Sequence, residues 1–121
     1  MQDENQNRQN AFRKLATESW RFVRVFEKAL HDIDEKQRKR YASRLEWYEK
    51  QIDEAMEAFG CQFVDLSGKP YDAGVAVTPL NLNDFDAEEA LVIDYMMEPT
   101  ILDADGRVIQ TGTAMLRRAE K

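Results

Sequence analysis

Cysteine and histidine occur once each in this 121-residue chain, as Cys61 and His31. One cysteine excludes an internal disulfide and any multi-cysteine metal site. Cys61 follows Gly60 and precedes the apolar pair Phe63-Val64, which points to a buried, inert thiol. His31 has no second histidine or cysteine at ligand spacing and reads as a surface or helix-end residue, favoured there by the negative end of a helix dipole. No apolar run approaches the ~20 residues that cross a bilayer, so no membrane association is expected. The opening Met1-Gln2-Asp3-Glu4-Asn5 lacks the basic and apolar regions of a secretory signal, and a cytoplasmic location is the expectation.

Surplus positive charge is also missing. The net charge is −6, and all of it arises in the second half. Residues 1–60 carry twelve acids and twelve bases, whereas residues 61–121 carry eleven acids and five bases. Neutralising phosphates needs the opposite bias, so nucleic acid is excluded as the expected partner.

Glycine and proline are absent from Asn10 to Phe59, and this stretch holds two apolar stripes at helical spacing. The first comprises Phe12, Leu15, Ala16, Phe22, Val23, Phe26, Leu30 and Ile33. The second, Tyr41, Leu45, Tyr48, Ile52, Ala55 and Phe59, steps by threes and fours without a miss. Between them lie Asp34-Glu35-Lys36-Gln37-Arg38-Lys39-Arg40, with no apolar member. Asp32 or Asp34 can cap a new helix there. The pattern favours helices over roughly 10–31 and 35–59, with one long helix as the alternative. The basic run at 38–40 reads as a solvated helix face. Residues 1–9, rich in Gln and Asn, read as a disordered tail.

Two helices cannot bury both aromatic-rich stripes. A second copy of the chain, completing a four-helix bundle by two-fold symmetry, is one remedy; Phe22, Phe26, Tyr41, Leu45, Tyr48 and Ile52 are its candidate dimerisation residues. Packing onto the chain's own C-terminal half is the other.

After Gly60, a residue suited to ending a helix, the period changes to two. Alternation appears at Val64 and Leu66, at Val75 and Val77, and along Leu91, Ile93, Tyr95 and Met97. Ser67-Gly68-Lys69-Pro70, Asn81-Leu82-Asn83-Asp84 and Asp103-Ala104-Asp105-Gly106 supply turns. The expected fold class is α+β: a helical dimerisation segment over residues 10–59, then a small β domain of four to six short strands over residues 60–121. If Leu91, Ile93, Tyr95 and Met97 face the core, then Val92, Asp94 and Met96 face out.

Catalytic chemistry has little to stand on. Gly68-Lys69-Pro70 lacks the earlier glycine and the hydroxyl residue of a phosphate-binding loop. Asp103-Ala104-Asp105-Gly106 opens like a calcium loop but lacks its later oxygen ligands, so a hairpin turn is expected. No carboxylate pair stands out, no catalytic or metal-binding residue is assigned, and an enzyme is the weak hypothesis.

The order of paired helices, glycine and small β unit resembles GrpE, the nucleotide exchange factor of DnaK-type heat-shock chaperones. Ala58-Phe59-Gly60-Cys61-Gln62-Phe63 is similar to that family's helix end and first strand, and Gly68-Lys69-Pro70-Tyr71-Asp72 to its Gly-x-Pro-Phe-Asp turn. Ala76-Val77, Leu91-Val92-Ile93-Asp94, Asp105-Gly106-Arg107-Val108-Ile109 and Met115-Leu116-Arg117-Arg118-Ala119 follow in the family's order. The resemblance covers roughly residues 35–121. The family's long N-terminal helix is largely missing, and Gly74-Val75 stands where His-Glu usually precedes Ala-Val. What the resemblance implies is a shortened, divergent co-chaperone that opens a DnaK-type ATPase to release ADP, with no cofactor of its own. It places Met96, Arg107 and, more weakly, Leu116 at the chaperone contact. A dimeric adaptor of the same shape without exchange activity is the alternative.

Overall fold

The computed structural model describes residues 2–119. The chain divides into two compact units, Met1–Phe59 and Gly60–Lys121. Its fold class is α+β: two helices precede six strands in two small sheets.

The first unit contains α1 (Gln2–Leu30) and α2 (Glu35–Ala58). Residues 2–9, expected as a tail, are helical. They contain no helix breaker, and extending an existing helix adds one hydrogen bond per residue ordered. Asp3 and Glu4 sit in the first turn, where the dipole favours anions. The Gln6 side chain donates to Asn10 Oδ1 at 3.1 Å, and Arg13 donates to the same oxygen at 2.9 Å. Exposed throughout residues 3–10, this segment is held by backbone and surface pairs without burying apolar surface.

The polar segment between the stripes makes two helices rather than one. Asp34 is extended, with φ −66° and ψ 157°, and its Oδ1 accepts from the Gln37 amide at 3.0 Å. Arg38 then closes the end of α1. Its guanidinium donates to the carbonyls of Leu30 at 2.8 Å, Ile33 at 2.9 Å and His31 at 3.3 Å. These oxygens would otherwise be orphans of a helix terminus. One residue of the basic run is therefore a structural clasp, and His31 is exposed in the turn.

The helices lie antiparallel, as Phe12 stacks on Phe59, Phe22 meets Tyr48 edge-on and Phe26 meets Tyr41 edge-on. Val23, Leu30 and Leu45 form the buried seam, with Phe26, Ile33, Ala42 and Tyr48 packed against it.

In the second unit, β1 (Cys61–Val64), β4 (Thr100–Asp103) and β5 (Val108–Gln110) form one antiparallel sheet in the order β1-β4-β5. The other sheet has the order β2-β6-β3, from β2 (Val77–Pro79), β3 (Leu91–Glu98) and β6 (Gly112–Arg118). Here β2 runs parallel and β3 antiparallel to β6. Gly68 to Tyr71 lines the other edge of β3: the Gly68 and Tyr71 amides donate to the Ile93 and Leu91 carbonyls, and the Ile93 amide donates to Lys69. This segment thus covers a sheet edge.

Ile93, Ile101 and Ala114 are fully buried, with Leu91, Val77 and Leu116 beside them. Burying each isoleucine side chain is worth about 1.5–3 kcal/mol. Thr100 joins the two sheets: its hydroxyl donates to the Ala76 carbonyl at 2.7 Å and accepts from the Gly112 amide at 3.1 Å. At Asp103–Gly106 the expected hairpin is present. Asp103 Oδ1 accepts from the Asp105 and Arg107 amides, both at 2.9 Å, and Gly106 adopts φ +83°.

Candidate partner-binding surfaces

Strict alternation along β3 would turn Met96 outward. It is 7% exposed. The register against β6 slips between Ile93 and Tyr95 and again between Met96 and Glu98, where two residues of β3 oppose one of β6. A bulge of this kind re-aims the side chains that follow it. Leu91, Ile93 and Met96 are therefore the buried set, while Tyr95 and Met97, expected in the core, are 46% and 41% exposed. Leu116 is also buried, at 3%, and lies opposite Ile93. Arg107 is exposed, at the end of the β4–β5 turn.

The exposed side of β3 carries Tyr95 and Met97, with half-buried Met115 across from Tyr95 on β6. An Arg117 to Asp94 ion pair of 3.3 Å flanks them. An aromatic ring and a flexible thioether beside a charged pair are residue types enriched where proteins meet. The missed signal is Gly112. A Cβ there would stand 2.6 Å from Met96 Cε and 2.7 Å from both the Glu98 carbonyl and Thr100 Oγ1. Glycine at this position makes room for an inward Met96. Asn81 was also overlooked: its side-chain amide accepts from the Leu116 amide at 2.8 Å and donates to the Leu116 carbonyl at 2.9 Å, fixing β6 as a neighbouring strand would.

The helical unit has its own exposed apolar surface. Phe22 is 53% and Tyr41 37% exposed, and Phe26, Tyr48 and Ile52 are half-buried. Leu45, expected at a dimer interface, is 8% exposed and belongs to the hairpin's own core. Leu15 at 71%, Val25 at 64% and Trp47 at 65% belong to the exposed surface instead. On α1, Leu15, Phe22 and Ala29 recur every seven residues and share one flank. The ring contact between Phe22 and Tyr48 puts that flank beside the Tyr48 side of α2.

Two titrations are displaced. Asp53 is pushed above its ordinary value of 3.8 by partial burial and then by Glu49, with Arg24 opposing. Burial, with a smaller contribution from Asp103, pushes the Cys61 thiol up, which disfavours the thiolate that nucleophilic or metal chemistry needs. Among the described residues no three His, Cys, Asp or Glu side chains cluster to hold a metal. No described helix is long and apolar enough to cross a membrane.

In the cleft lined by Tyr71, Asp72, Phe85, Asp86 and Glu89, Asp72 and Glu89 already serve structure. Asp72 Oδ1 accepts from the Gly74 amide at 2.7 Å, and Glu89 pairs with Arg118 at 3.1 Å. Arg118 also lies over the Phe85 ring at 5.3 Å.

Comparison of the chain with protein-family models, curated proteins and solved structures finds no match.

Proposed function

We propose that this chain is a GrpE-like nucleotide exchange factor, a homodimeric cytoplasmic co-chaperone that binds a DnaK-type ATPase and promotes ADP release. The observation that carries this reading is an order of parts. A helical hairpin ends at Gly60, which adopts φ +80°. A six-stranded unit follows, with its family-like Gly68-Lys69-Pro70-Tyr71-Asp72 segment seated against β3. In this reading Tyr95 and Met97, with Arg107, replace buried Met96 and Leu116 as the chaperone contact. Binding favours the open form of the nucleotide cleft, and ADP leaves because that form no longer encloses it. Leu15, Phe22, Val25 and Tyr41 supply the apolar surface for the second copy.

The test is release of a fluorescent ADP analogue from a DnaK-type chaperone of the same cell. Release accelerates with increasing protein, and Tyr95→Ala with Met97→Ala removes at least tenfold of the acceleration, a loss of ~1.4 kcal/mol in binding. Phe22→Glu with Val25→Glu converts the dimer to a helical monomer in sedimentation. Unchanged release from a chaperone of proven activity defeats the exchange reading. It would favour a dimeric adaptor of the same shape.

A further inference from the structure

The basic run that separates the two apolar stripes splits its roles. Arg38 turns inward to the α1 carbonyls, whereas Arg40 is exposed one turn before Arg44. Together with Ser43, Trp47 and Tyr48 they line an open groove of about 710 Å³ along α2. Lys36 lies four residues before Arg40, so Lys36, Arg40, Arg44 and Trp47 form a stripe of threes and fours with no acid in it.

The arginines of the stripe differ from those of α1. Arg21 binds Glu18 at 2.7 Å, and Arg24 binds Glu27 at 2.8 Å. Among the described residues Lys36, Arg40 and Arg44 have no carboxylate partner, and Arg40 only overhangs the Tyr41 ring at 5.9 Å. Trp47, at the end of the stripe, is 65% exposed, although the other tryptophan, Trp20, is 5% exposed.

We infer that this groove docks an acidic segment of a partner protein that carries an aromatic anchor. Carboxylates complement the unpaired guanidinium groups in forked, charge-assisted hydrogen bonds. The anchor stacks on the Trp47 indole, the kind of residue that dominates interface energetics. A lipid surface fits less well, because an interfacial helix needs a broad apolar face and this stripe has a single indole with a tyrosine edge. Nucleic acid is disfavoured because the helical half that carries the stripe has as many acids as bases, twelve of each. The inference does not rest on the exchange reading, whose chaperone contact lies on the β unit.

The probe is a fluorescein-labelled peptide of glutamates flanking one phenylalanine, titrated against the intact chain by anisotropy. Saturable binding weakens as salt screens the charges. Arg40→Glu with Arg44→Glu lowers affinity at least tenfold at unchanged helical circular dichroism, and Trp47→Ala lowers it roughly tenfold. A peptide with glutamine in place of glutamate does not bind. No binding of the glutamate peptide, equal binding of the glutamine peptide, or undiminished binding by the charge-reversed variant overturns the inference. So does tighter binding to phosphatidylserine vesicles or to single-stranded RNA. Protection of Trp47 from acrylamide quenching that rises with protein concentration, without peptide, would assign the groove to a second copy instead.

Discussion

The two units of this chain solve burial differently. The β unit draws its core from residues far apart in sequence and makes Ile93, Ile101 and Ala114 inaccessible, while leaving Leu80, Tyr95 and Met97 at its surface. The helical unit forms its backbone hydrogen bonds locally and leaves Leu15, Phe22, Val25 and Trp47 more than half exposed. A helix needs only its own residues to satisfy its backbone, whereas a short strand exists only once its neighbours are in place. Apolar surface left over in a complete helical hairpin is thus available for other molecules. Charge divides the same way, since the helical half is neutral and the β half carries the whole net −6.

The sharpest way to break this contrast is to open the β core. Ile93→Ala should cost about 2–5 kcal/mol, read as a lower urea midpoint for the amides of β3 and β6. Gly112→Ala tests the crowded junction behind Met96 and should cost about 1–3 kcal/mol by overpacking. Met96→Ala in the same background should recover part of that loss, because it removes the nearest atom. In the helical unit the effects are smaller. Asp34→Ala deletes the α2 cap and should cost about 0.5–2 kcal/mol, seen as faster amide exchange at Gln37.

The smallest effect is a pH dependence at Asp53. Its carboxyl is raised in the folded state, so the unfolded chain binds that proton less tightly. Ionised Asp53 is therefore a penalty, fully present above the raised value and relieved as pH falls toward the ordinary 3.8. Asp53→Asn should stabilise the helical unit slightly at neutral pH, and the gain should vanish across that window. A gain that is constant with pH would remove the electrostatic account.

Legibility followed the same division. The helix break was readable because Asp34 and the apolar gap act within a few residues. That Arg38 would close α1 was not, since the chain must first reverse before its guanidinium reaches Leu30. Residues 2–9 were misjudged because their lack of apolar side chains says nothing against extending a helix already nucleated. In the β unit, β4 stayed hidden: Thr100-Ile101-Leu102 is short and follows Pro99 directly. The facing of the β3 side chains differs from strict alternation for one reason. Alternation reports facing only while the register holds, and the slips at Asp94 and Met97 depend on how β6 pairs.

By itself, then, the sequence determined the class of fold, the helical hairpin, the glycine at its end and a β unit after it. Each of these follows from periodicity, capping and turn chemistry, which act over a few residues. Only the tertiary structure decided that Met96 and Leu116 are buried, that Tyr95 and Met97 are exposed, and that Arg40 and Arg44 line one groove with an open Trp47. Those outcomes depend on pairing and crowding between residues distant in the chain, as at Gly112, where a single added carbon would meet Met96, Glu98 and Thr100 at once.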